Sequence, residues 1–277
     1  MSVVTFWNSL EKECGQTLSA IAIATYMAME HNYRILLIDG CFHDNTIEKA
    51  FWKRKENKAL KELTGGKIDI SSGAEGLISA VASNKATPEI ITNYTRIVFK
   101  NRLDVLLGLK TEVRADHEKS LMLYKDLILT ANKYYDIVFV DLPKGTAVAS
   151  NEAILKISNV VLYTMPPNLN NIDKYRELRV NSNSIVSKPK VMPLLARCDE
   201  SSSYNIKNTT RYIKEKNTIA CVPYNVRFME ATNEARTATF MTNIKLSKSA
   251  LDVNGDFFSE LDRTAKMIVE KIRELNK

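Results

Sequence analysis

The sequence predicts an α/β fold, a doubly wound and mostly parallel sheet with helices on both faces. Three observations predict it. Short runs of β-branched and aliphatic residues alternate with Ala- and Ile-rich helical stretches, the rhythm of βαβ units. Those runs are continuously apolar rather than alternating, as strands covered on both faces must be. The chain has 277 residues, 45% of them hydrophobic and 26% charged, enough to bury a large core and too apolar for a disordered chain. No internal repeat, low-complexity stretch or linker breaks the pattern, so 1–277 reads as a single domain.

The elements follow in order. Residues 3–7, Val-Val-Thr-Phe-Trp, form a first strand on β-branched and aromatic content. Residues 17–29 are rich in Ala and Ile over four turns and read as a helix. Residues 35–38 form a second strand that ends at Asp39, and 103–107 a third. A long helix is expected over 117–134, then a strand over 137–140 ending at Asp141. Strands over 160–163, 191–195 and 219–222 continue the series, with helices over 173–183 and 205–214 between them. The stretch 53–67 is charged, carries Gly65 and Gly66, and reads as a short surface insertion. Near the end, Phe257, Leu261, Ala265, Ile268, Ile272 and Leu275 recur at three- and four-residue steps, an amphipathic helix. It either packs on the sheet or lies in an anionic membrane surface. Lys266, Lys271, Arg273 and Lys277 favour the second reading, and Glu260, Asp262, Glu270 and Glu274 dilute that charge.

The formal net charge is +7 and the pI about 9.1, a balance that suits nucleic acid, anionic lipid or an acidic protein, or simply a solvated lysine-rich surface. Lys53, Arg54, Lys55, Lys58 and Lys61 are the residues that could meet DNA. Cys14, Cys41, Cys198 and Cys221 form no C-x-x-C pair and no zinc-like spacing, so reduced, inert thiols are expected. No leader peptide is expected, nor any apolar run of the ~18 residues that a spanning helix needs, so the expected location is cytoplasmic. His31, His43 and His117 are isolated; no nucleophile–base pair is suggested and no catalytic residue is assigned.

In doubly wound sheets ligands bind beyond the carboxyl ends of the strands, so the loops after Trp7, Ile38 and Val140 are where a site belongs. A phosphate loop works by aiming backbone N–H groups and a helix N-terminus at the anion, with glycines for close approach, a lysine for charge and a Ser/Thr hydroxyl for magnesium. The loop 8–16 offers Gly15, then Gln16 and Thr17, and does not match G-x-x-x-x-G-K-S/T. On its own it reads either as a weak nucleotide site or as a turn that needs Gly15 for its backbone angles.

Several segments in order resemble the ParA/MinD family of P-loop ATPases, whose Walker A loop is of the deviant type K-G-G-x-G-K-T. The matching stretch is Glu11-Lys12-Glu13-Cys14-Gly15-Gln16-Thr17. The family's I-D-x-D is matched by Ile38-Asp39-Gly40-Cys41. Its Y-D-x-x-x-x-D-x-P-x-G is matched by Tyr135-Asp136 through Asp141-Leu142-Pro143-Lys144-Gly145. Val222-Pro223-Tyr224-Asn225 and Phe228-Met229-Glu230-Ala231 look like further landmarks. The resemblance implies nucleotide contacts from Lys12, Glu13, Cys14, Gly15, Gln16, Thr17, Leu18, Pro223 and Asn225. It implies a vestigial magnesium site at Thr17, Asp39 and Asp141, for which strand-end capping is the other reading of the two aspartates.

The departures carry physical consequences. Glu11 and Gln16 stand where the family has its two phosphate-contacting lysines, and Cys41 where it has an acid that orders the attacking water. At ~4 Å and an effective dielectric near 20, one lost charge pair is worth about 4 kcal/mol. A backbone hydrogen bond restores about 1 kcal/mol. ATP with magnesium is therefore expected to bind weakly. Phosphoryl transfer is positioning plus electrostatics, and this loop has lost the means of both. The expected function is a noncatalytic or weakly catalytic positioning or scaffold protein, most like the TadZ/CpaE group that accompanies pilus and secretion machinery. The resemblance further implies a homodimer, or a heterodimer with an intact homologue, peripheral at the inner membrane face if the last helix meets lipid. Two alternatives stand: an active ATPase that dimerises with ATP, and a nucleotide-independent DNA-binding partition or mobile-element protein. No specific small-molecule substrate is suggested.

Overall fold

A computed structural model describes residues 1–10, 13–42, 44–53, 73–83, 88–111, 113–145, 149–247 and 253–275. Eight strands form one sheet: β1 Ser2–Trp7, β2 Ile35–Asp39, β3 Arg96–Phe99, β4 Leu103–Leu106, β5 Ile137–Asp141, β6 Val160–Met165, β7 Val191–Cys198 and β8 Ala220–Pro223. Their order is β3-β4-β2-β5-β1-β6-β7-β8. All neighbours run parallel except β3, which pairs antiparallel with β4 at one edge. The doubly wound, mostly parallel sheet is as the sequence predicts.

The helices are α1 Gln16–Glu30, α2 Thr46–Phe51, α3 Ala74–Ala82, α4 Arg114–Leu121, α5 Tyr124–Ala131, α6 Ala149–Ile157, α7 Leu169–Val180, α8 Ile206–Tyr212, α9 Val226–Asn233, α10 Thr237–Ser247 and α11 Val253–Leu275. A fully buried strand feeds two cores with alternate residues. In β1, Val4 and Phe6 join a core with α1 and α11, while Val3 and Trp7 join the opposite one with α5 and α6.

Three expectations are corrected. The helix predicted over 117–134 is two helices, α4 and α5. They are joined by a tightened turn in which the Met122 and Leu123 N–H groups bond three residues back, to Lys119 and Ser120. That turn keeps Leu121 and Tyr124 buried and leaves Met122 and Leu123 exposed. The edge strand β3 has four residues and no βα unit of its own, so the strand–helix rhythm did not mark it. Nor are all four cysteines free. Cys198 and Cys221 form a disulfide between β7 and β8, with Cα atoms 6.7 Å apart. Cys14 and Cys41 are free and buried, as expected.

The last helix resolves in favour of packing. Phe257, Leu261, Ala265 and Ile268 are all buried, against α1 and β8. The first four residues of the apolar stripe are spent on the core, while Ile272 is half-buried and Leu275 is exposed. Among the described residues no helix is long and apolar enough to cross a membrane. Glu11, Lys12, His43, most of the 53–67 stretch and the basic residues Arg54, Lys55, Lys58 and Lys61 lie outside the described residues.

Candidate functional site

The site lies beyond the carboxyl ends of β1, β2, β5 and β7. Asn8 anchors the loop after β1. Its amide N–H donates to Thr164 O (2.5 Å) and its Oδ1 accepts from Leu10 N (2.6 Å), while Gly145 N donates to Asn8 O (2.9 Å). Ser9 Oγ sits 2.7 Å from Tyr163 Oη. The loop is thus tied to β6 and to the turn after β5 before it reaches its glycine. Gly15 takes φ 79°, ψ 13°, the left-handed region that favours glycine, and α1 starts at the next residue. Glu13 is exposed, Cys14 is buried, and Leu18 packs partly into the core.

Gln16 decides the character of the site. Its side chain is fully buried and turned inward. Nε2 donates to Asp141 Oδ1 (2.7 Å) and to Leu142 O (2.7 Å). The residue at the lysine position is therefore bonded to the end of β5 instead of being extended toward a phosphate. Thr17, at 7% exposure, is also buried. Its hydroxyl favours the ionised form of the Asp141 carboxyl and has no other partner among the described residues.

Asp39 and Asp141 are register neighbours on β2 and β5, both buried. Burial pushes Asp141 up to about 6, with Thr17 and Gln16 opposing the rise. Burial, then repulsion from Asp141, pushes Asp39 well above the carboxylate range, partly offset by Cys41 N donating to Asp39 Oδ1 (3.1 Å). Repulsion between the two carboxyls falls on Asp39 and disfavours ionising both at once. The backbone here is tight. A Cβ on Gly40 would meet Asp141 O at 2.8 Å, and one on Gly108 would lie 3.3 Å from Asp39 Oδ2.

Cys41 Sγ lies 3.6 Å from Asp141 Oδ2 and from Leu142 O. Burial, then the charge of Asp141, pushes this thiol well above its usual value, so it is neutral and a poor base. Burial likewise raises Cys14, with Lys144 and, more weakly, Arg197 opposing it. A cleft of about 330 Å³ opens beside Cys41, lined also by Phe42, Asp44, His117, Lys144 and Asn151.

The structure brings Gly15, Gln16, Thr17, Asp39, Cys41 and Asp141 together as the sequence predicts. It gives Asn225 a structural task. Asn225 Oδ1 accepts from Phe228 N (2.8 Å), capping α9, and its Nδ2 donates to Asn254 Oδ1 (3.1 Å). Replacing Asn225 with Ala is expected to cost about 1 kcal/mol of stability, read from the denaturant midpoint. Pro223 closes β8, and the following Tyr224 N donates to Cys198 O (2.8 Å), so this corner is tied to β7. Sequence reasoning missed Asn8 and Arg197. The rule that places sites at strand ends would have pointed to the last residues of β7, Arg197 among them, as well as to those after β1, β2 and β5.

The donor set of Thr17, Asp39 and Asp141, three oxygen-bearing side chains at one sheet edge with two raised carboxylates, fits a magnesium ion. Among the described loop residues 13–16 none is a cation, and Gln16 is neutral and turned inward.

These residues gather beyond the carboxyl ends of the central strands, where doubly wound sheets place their ligands, and comparison of folds defines the class of fold. A ParA family ATPase from Chlorobium tepidum TLS superimposes with a TM-score of 0.67 at 13% identity, over 94% of this chain and 96% of that one. The cell division ATPase MinD of Pyrococcus furiosus gives 0.64 at 14% identity, over 99% and 100%. A plasmid partition protein of Borrelia burgdorferi B31, bound to AMPPNP, gives 0.61 at 15% identity, over 98% and 100%. No protein-family model and no curated protein matches the sequence. The fold is that of the ParA/MinD-like P-loop ATPases.

Proposed function

We propose that this chain is a noncatalytic ParA/MinD-like protein that acts as a positioning or scaffold component, in the manner of the pilus- and secretion-associated members it resembles. The inward Gln16 supports this reading most strongly. It withdraws the loop cation and occupies one oxygen of Asp141, a position that would otherwise serve magnesium. The neutral Cys41 thiol supports it further, because it stands where an acid would order the attacking water. Thr17, Asp39 and Asp141 retain the means to hold a metal ion, so the loop holds a phosphate ligand weakly without cleaving it. Such a chain would work through its partners, as a homodimer or beside an intact homologue whose loop faces its own.

Equilibrium binding of labelled ATP with magnesium tests this. A dissociation constant weaker than about 0.1 mM is expected. Micromolar affinity that disappears in Thr17→Ala or Asp141→Ala would instead favour the reading as an ATPase that dimerises with ATP.

A further inference from the structure

Arg197 stands at this edge of the sheet and takes no part in the loop's hydrogen bonds described above. It stands near the end of β7, at a bulge where the register against β8 shifts between Ala196 and Cys198. Its backbone is left-handed, φ 54°, a conformation that an arginine holds only at a cost. Strain of this kind collects where a side chain must be aimed. The bulge lays the side chain on the phosphate loop. A Cβ on Gly15 would lie 3.1 Å from Arg197 Nε and 3.2 Å from its Cγ. The residue is exposed, and no carboxylate pairs with it among the described residues. Two residues past Gly15, on the first turn of α1, the Thr17 hydroxyl is buried and, among the described residues, has no partner besides the Asp141 carboxyl.

We propose that Arg197 is the anion-binding residue of this loop, its guanidinium taking phosphate oxygens from the side while Gly15 and the start of α1 take them from below. This rests on the reading of the loop as a weak, noncatalytic phosphate site. A guanidinium presents a fork of donors that matches two phosphate oxygens, and it stays charged at every working pH. It enters from β7, not from the loop itself. The inward bonds of Gln16 and the buried thiol of Cys41 are therefore undisturbed, and the ligand is held without the groups that would cleave it. The ligand class is a di- or triphosphate, free or carried by a nucleoside.

Calorimetric titration with magnesium-free ATP and, separately, with inorganic pyrophosphate tests the proposal. Arg197→Ala is expected to weaken both about tenfold, and Arg197→Lys to recover part of the loss. Arg197→Gly relieves the left-handed backbone, so it is expected to keep the native melting temperature or exceed it while binding as poorly as the alanine variant. Equal losses for the two probes place the recognition on the phosphates; a loss for ATP alone would overturn the assignment, because it would move Arg197 to the base. Unchanged affinity in Arg197→Ala, or no binding of either probe to the native chain at millimolar concentration, would also overturn it. Phosphate release is a separate readout: turnover by the native chain would refute the noncatalytic reading and leave the role of Arg197 to the titrations.

Discussion

Replacing Asp141 with Asn is expected to stabilise the protein by about 2–3 kcal/mol at pH 7.5 in metal-free buffer, raising its melting temperature by roughly 5–10 °C. Asp141 is fully buried and its carboxyl is pushed up to about 6. Below pH 4 the group is protonated in both folded and unfolded chains and contributes no difference. Between pH 4 and 6 the folded chain keeps a proton that the unfolded chain has released, so native stability falls as pH rises through this window. Above pH 6 the folded chain bears the full cost of a buried charge. Asn removes that cost, and its Oδ1 still accepts from Gln16 Nε2. The gain should therefore be complete near neutrality and fade toward pH 4. Thermal melts of both proteins from pH 4 to 8 measure it. A variant less stable at pH 7.5, or a difference that does not change with pH, would contradict the account of this carboxylate.

Truncating Phe257 to Ala is expected to cost about 3–5 kcal/mol, read from the urea midpoint at constant slope. Phe257 is 1% exposed, packs 5.1 Å from the Phe228 ring, and lies in the first turns of α11. Its removal leaves a cavity between α11 and α9 that the sheet cannot close. A helix held in reserve for a membrane surface would leave this ring idle, and the substitution would then cost less than about 1 kcal/mol. The measurement separates the two readings that the amphipathic spacing of 257–275 leaves open.

How much of this was legible depends on the range of the interaction. Seven of the eight strands are built on short, mainly apolar runs, and local composition suffices to find them. The eighth, Arg96–Phe99, is a half-buried edge and has no such run. The loop's residues were legible through their order: Gly15, Thr17, Asp39 and Asp141 converge as expected. What Gln16 does with its amide was not, because its partner Asp141 lies 125 positions away and either direction suited the sequence. That Gln16 stands at the position where the resembled family has a lysine is visible in the letters; the bond that turns its amide onto Asp141 is visible only in three dimensions. Asn225, expected at a nucleotide, also caps α9, and because Asn is a common cap its spacing to Phe228 allowed that reading as well. The Cys198–Cys221 bond had no local signature, since it joins residues 23 apart on neighbouring strands.

The proposal that this chain is noncatalytic rests on the loop that follows β1, where Gln16 is turned inward onto Asp141. Phosphate release from ATP by the native chain, with magnesium in excess, tests that account most directly. Release that stays at the protein-free level at every ATP concentration is the expected result. Release that rises with protein, saturates with ATP and disappears in Thr17→Ala would contradict it, and would mean that Gln16 and Cys41 perform the work assigned elsewhere to a lysine and an acid.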